Sequence, residues 1–300
     1  MSETTKTNIA YEFPLTTKLE GTSRVLIQIP SSIILDTDMH LIRTIAFSYF
    51  SLKRGLDYKL IFSVNEVVKW LNKIPNRTKE GISNKVLQII KDFKDRGYLT
   101  YWNDAFEREG NNKKSIWEKF VEAELNVDKI ENECFQSNEE KQSNKFAIVY
   151  LDEIQKIINY VPTKKDGYSN TFVIYLVFVY LRMILQEKRR KNVCCAEYLE
   201  TRRKTYPEAY NCFYFEIADI LGISNRAVGK AIGVLKELDL IYSENLPRIR
   251  YVDKDNEIRF RTDCTIFCNT YKREYGYLLA SGESYYLEEI ANKKKKMGCN

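Results

Sequence analysis

The chain has 300 residues, room for about two domains of ordinary size, and its 44% apolar and 13% aromatic content suffices for true cores. With only 12 Gly, 6 Pro and no long low-complexity tract, it does not read as a disordered chain. The formal charge of +6 is uneven: residues 103–144 carry eleven acidic and six basic side chains, a net of −5, which leaves +11 elsewhere and suits the remainder to a polyanionic partner.

Taken in chain order, residues 1–10 are polar and lack the apolar stretch of a secretory signal. Seven cysteines, an odd number at irregular spacing, then imply reduced thiols and a cytoplasmic location. Residues 1–24 are expected to form a partly disordered N-terminal segment, and 24–29 a short strand that could pair with the wing of the first domain. A first domain is expected over residues 25–150. Its apolar helix at 40–52 leads to FSVNEVVKWL (62–71), a turn over 72–81 containing Pro75, Asn76, Arg77, Thr78 and Lys79, and the second helix of ISNKVLQIIKDFKDRGYLTYW (82–102). Three- and four-residue spacing predicts that this second helix buries Val86, Leu87, Ile90 and Phe93 and exposes Asn84, Lys85, Gln88 and Lys91. A strand at 98–102 and a returning strand at 145–151 would make a wing, interrupted by the acidic insert, itself expected to be partly helical around 115–130. A helical linker over 151–166 would hold the second domain, 167–280, in a restricted orientation, and 281–300 would be a tail.

Residues 171–185 are almost wholly apolar, with Arg182 the one charged residue. A spanning helix needs ~20 apolar residues, so a buried core helix and no membrane partner are expected. The basic clusters 188–191 and 202–204 follow, with Arg202 and Arg203 either on a DNA backbone or on a solvated loop. In FEIADILG (215–222), Phe215, Ile217, Ala218, Ile220 and Leu221 give one helical face, and Gly222 suits the left-handed turn that ends it. Ser224 or Asn225 then caps a second helix. Its stripe is Val228, Ala231, Ile232, Leu235 and Leu238, and its opposite face is Arg226, Gly229, Lys230 and Gly233. A strand at 240–242 precedes a hairpin of 248–252 and 257–266, whose Arg248, Arg250, Lys254, Arg259 and Arg261 would meet phosphates or a minor groove.

The strings ISNKVLQIIKDFKDRGYLTYW and ISNRAVGKAIGVLKELDLIYS (223–243), each after a short helix, form an internal repeat. Short helix, turn and second helix with a cationic face make a helix-turn-helix unit, and the following hairpin makes it winged. The expected fold is therefore mainly α with small β-wings (α+β), as two tandem winged helix-turn-helix domains. On these residues, over most of 25–275, the chain resembles the plasmid and phage replication initiators that carry two winged helices, and also the winged-helix part of Gram-positive phage replisome organisers. The resemblance implies a sequence-specific double-stranded DNA-binding protein that starts plasmid or mobile-element replication, with host replication proteins and a second copy of the chain as further candidate partners. A transcriptional regulator with the same reading heads is the alternative, and a replisome adaptor whose winged helices bind protein is a second one.

Arg226 and Lys230 are the leading base or phosphate contacts; Asn225 would either join them or spend its amide on capping. Lys85, Gln88 and Lys91 would do the same in the first domain, unless that domain docks protein. No enzyme, cofactor or metal is expected. His40 is the single histidine, and neither GxxxxGK[ST] nor GxGxxG occurs. Cys264 and Cys268 lack the companion ligands that zinc needs.

Overall fold

The structure, a computed structural model, describes residues 25–54, 58–76, 78–103, 117–135, 146–162, 167–191, 209–245, 249–252, 258–261 and 264–269. It mixes helices with small antiparallel sheets, an α+β arrangement, and divides into two units, Met1–Asn159 and Tyr160–Asn300.

In the first unit, β1 (Leu26–Pro30) runs into the short α1 (Ser31–Leu35), followed by α2 (Arg43–Lys53), β2 (Lys59–Phe62), α3 (Val64–Trp70), α4 (Ile82–Asp95) and β3 (Leu99–Asn103). The second half adds β4 (Val121–Leu125), α5 (Val127–Phe135), β5 (Phe146–Tyr150) and α6 (Leu151–Ile158). α2 is buried from Arg43 to Ser51 because an aromatic cluster surrounds it. Phe50 meets Phe62 at 4.8 Å and Phe93 at 6.0 Å between ring centroids, and Phe47 meets Phe93 and Tyr98 edge-on. The buried Arg43 guanidinium closes the end of α1, donating to the carbonyls of Ile33 (2.8 Å), Ile34 (2.8 Å) and Met39 (3.2 Å). Burial lowers its pKa to about 10, with nearby Asp36 acting against the drop.

Two expectations about this unit change. The acidic insert is helical from Val127, in α5, but not where VEAEL (121–125) stands: Val121, Ala123 and Leu125 are buried, and strand β4 lies between β2 and β3 in an antiparallel sheet. Period-two alternation was the signal, and charge density obscured it. The strand at 146–150 is then not the return of a wing; it pairs with β1 in a separate two-stranded sheet, Leu26 opposite Tyr150. The start of the expected linker is helical. α6 buries Ile154, Ile157 and Ile158, the Glu153 carboxylate accepts from Tyr150 N at 3.0 Å, and the boundary between units follows it.

In the second unit, α7 (Thr171–Lys191) buries every residue from Val173 to Leu185, Arg182 included, whose guanidinium carbon lies 4.9 Å from the Phe178 ring centroid. Among the described residues no helix is long and apolar enough to cross a membrane. β6 (Ala209–Phe213), a strand not anticipated from sequence, leads to α8 (Tyr214–Leu221), α9 (Asn225–Glu237) and β7 (Ile241–Asn245). The hairpin β8 (Ile249–Val252) and β9 (Ile258–Arg261) follows, then β10 (Cys264–Asn269). The run 257–266, expected to be one arm of the hairpin, is thus divided, because β10 leaves to lie between β6 and β7. α8 buries Ile217, Ala218 and Leu221 but leaves Phe215 and Ile220 each 43% exposed, so its apolar face is narrower than the sequence suggested.

The two units share one order: helix, strand, two helices, strand, and a last strand inserted between the first two. The first has β2-β4-β3 and the second β6-β10-β7.

Candidate nucleic-acid interface

Each unit builds its helix pair with the same backbone devices. α3 starts with a capping box, Ser63 Oγ accepting from Glu66 N while the Glu66 carboxylate accepts from Ser63 N, both at 3.2 Å. At the matching place Phe213 N donates to the Glu216 carboxylate at 2.9 Å. α3 ends in the left-handed Asn72 (φ 53°), and Lys73 N donates back to Val68 O; α8 ends in Gly222 (φ 65°), and Ile223 N donates to Ala218 O. The second helices close alike. After Gly97 (φ 73°) Tyr98 N donates to Phe93 O at 2.8 Å, and after Asp239 (φ 52°) Leu240 N donates to Leu235 O at 3.0 Å.

These bonds fix the register between copies. Val68 and Ala218 stand 150 positions apart, Phe93 and Leu235 stand 142 apart, and the first turn is therefore eight residues longer. The second helices match with Val86 on Val228, Ile90 on Ile232 and Phe93 on Leu235, one residue off the alignment of the two ISN strings. Asn84 thus answers to Arg226, Gln88 to Lys230 and Lys91 to Gly233, while Lys85 answers to Ala227.

On α9, Ser224 is the N-cap, its Oγ accepting from Ala227 N at 3.2 Å, so the Asn225 amide is not spent on capping. Asn225, Arg226 and Lys230 are exposed. The opposite stripe, Val228, Ala231, Ile232, Val234 and Leu235, is buried. Two neighbours shape the exposed face. The Lys230 ammonium lies 5.6 Å from the ring centroid of Tyr168, just ahead of α7. Glu237, the acid at the foot of the face, accepts from the Tyr160 hydroxyl at 2.6 Å. Burial, then the bond and charge of Glu237, push the Tyr160 pKa up to about 12. Lys236 is drawn off the face, its Nζ donating to Ser243 O at 2.8 Å. No sequence signal marked Tyr168 or Tyr160 because both reach α9 from outside the helix pair.

The first unit differs. Gln88 and Lys91 are exposed on α4, but Lys85 is only part-exposed on its flank. There its charge helps to lower the His40 pKa, after burial and ahead of Arg43. Leu87, expected in the core, is half-buried. The longer turn folds onto the start of α4. Asn76 O accepts from Ser83 N (3.2 Å), Thr78 O from Gly81 N (2.8 Å) and from Asn84 Nδ2 (2.7 Å), and a Cβ on Gly81 would strike the Asn76 carbonyl. At its rim Ile74 is 87% exposed.

Of the expected wing cations, the β8–β9 register places Arg250 opposite Phe260 and Arg259 opposite Tyr251. Arg248, Lys254, Arg202 and Arg203 lie outside the described residues. No group of acids, cysteines and histidine capable of holding a metal occurs among the described residues. No known protein family and no curated protein matches the chain.

Proposed function

We propose that both units are winged helix-turn-helix domains and that the protein binds double-stranded DNA sequence-specifically. The observation that carries this reading is α9: one stripe is spent on the core, and the other presents Asn225, Arg226 and Lys230 to solvent, with Glu237 at its foot accepting from Tyr160. Arginine suits a bidentate contact to a guanine edge, and lysine suits phosphate or guanine as a point charge. The repeated sheet order, in which each unit's last strand lies between the first two, supports it as well. Two heads in one chain raise the effective concentration of the second contact.

Within DNA binding, the resemblance to two-winged-helix initiators favours initiation of plasmid or mobile-element replication in the cytoplasm. The protein would occupy repeated sites, bend or open the adjacent duplex and recruit host replication proteins. Footprinting on DNA flanking the gene tests this reading. Protected direct repeats, bound at least ~10³-fold more tightly than random duplex and with affinity falling steeply in salt, are expected. Absence of binding to any duplex at low salt would overturn it, and an inverted repeat across a promoter would move the same heads to transcription.

A further inference from the structure

Glycine is the poorest helix former after proline, so a glycine inside a helix calls for a local reason. α9 contains two, Gly229 and Gly233, and their surroundings differ. A Cβ on Gly229 would meet the Tyr214 ring at 3.3 Å, so packing of α9 on α8 accounts for that residue. A Cβ on Gly233 would meet nothing within 4 Å among the described residues, so their packing does not ask for it. The backbone there is ordinary helix, with a φ outside the left-handed region.

Gly233 lies four and seven residues beyond Gly229 and Arg226 and three beyond Lys230, on the exposed side of the helix. Arg226 and Lys230 precede it on that side, and Glu237, one turn further, is engaged by Tyr160. The face therefore offers two cations, then bare backbone, with the Glu237 carboxylate one turn beyond. Charge complementarity selects a polyanion, and the missing side chain selects a partner whose own surface comes against the helix. We infer that Gly233 is the point of closest approach between α9 and duplex DNA, where a phosphodiester strand or groove wall packs directly on the helix backbone. The same place in the first unit holds the exposed Lys91, so the close approach belongs to the second unit. This inference rests on the DNA-binding reading above.

The experiment uses the full chain, with Gly233→Ala, the bulkier Gly233→Gln and, as a control, Arg226→Ala. It measures affinity for the footprinted duplex across a salt series, together with thermal unfolding. Alanine should raise the unfolding midpoint of the second unit by about 4 °C through helix propensity. It should nevertheless weaken duplex binding by about 10-fold, glutamine by more, and both with the salt slope unchanged because no phosphate contact is removed. A variant that is more stable and binds as tightly as the wild type, while Arg226→Ala binds weakly, overturns the inference and leaves the DNA reading standing. A midpoint that falls on Gly233→Ala also overturns it, since the glycine would then serve a contact within the chain. A wild-type protein that binds no duplex defeats the DNA reading itself.

Discussion

The helix pair of the first unit and that of the second share a scaffold and differ in what they present. Both close their helices with left-handed residues and six-to-one hydrogen bonds, at Asn72 and Gly97 in one and at Gly222 and Asp239 in the other. On that common frame α9 offers Arg226, Lys230 and Gly233, whereas α4 offers Asn84, Gln88 and Lys91 at the matching positions. The Asn84 amide already donates to Thr78 O, and eight additional residues cover the start of α4. Backbone hydrogen bonding thus preserves the frame, and the length of one turn decides whether the start of the second helix is open to a partner. In the proposed function α9 reads bases with its first turns, and α4 presents its middle, Gln88 and Lys91, beside a loop of its own.

The largest effect that separates the units concerns Arg43. Replacing it, Arg43→Met, leaves the buried carbonyls of Ile33, Ile34 and Met39 without its guanidinium. The first unit should lose about 3–5 kcal/mol, seen as an earlier unfolding transition, while the second unit's transition stays in place. Equal shifts of both transitions would show that the units unfold as one body.

Next in size are the substitutions on α9 measured against those on α4. Arg226→Ala should cost about 1–3 kcal/mol in affinity and relax the preference at one base position. Lys230→Ala should weaken all duplexes alike and lower the salt slope by about one. If Gln88→Ala and Lys91→Ala together cost more than Arg226→Ala, the ranking of the two heads is reversed.

The smallest effect is pH dependence. His40, in the first unit, is the protein's single histidine, and burial, Lys85 and Arg43 hold its pKa below 6.5 when folded. The unfolded chain therefore takes up the proton first. Stability contributed by the neutral imidazole is present above pH 6.5 and is lost as the pH falls through the lower folded value. Lowering the pH from about 7.5 to about 5.5 should bring the first unit's transition down and leave the second nearly flat, and His40→Gln should remove the difference. Persistence of the slope in that variant would assign it to other groups, of which Asp92, with a raised pKa, titrates in the opposite sense.

Periodicity alone determined a good part of this protein. The spacing of Val228, Ala231, Ile232 and Leu235 defines α9 and its free face, the run at 171–185 reads as a buried helix, and Gly222 marks the end of α8. These are local matters, in which a residue's neighbours three and four positions away fix its environment. Strand partnership was decided only by tertiary structure. VEAEL alternates apolar and acidic residues and FAIVY (146–150) is a continuous apolar run, yet neither pattern states that the first completes the three-stranded sheet and the second joins β1, more than a hundred residues earlier. A strand's hydrogen-bonding edges are generic backbone, so its sequence states which face is buried and not which strand it joins. The register between the two copies was settled in the same way. The identical ISN letters align one residue away from the packing, because burial of Phe93 and Leu235 against each core, not residue identity at the helix start, sets how each second helix is turned.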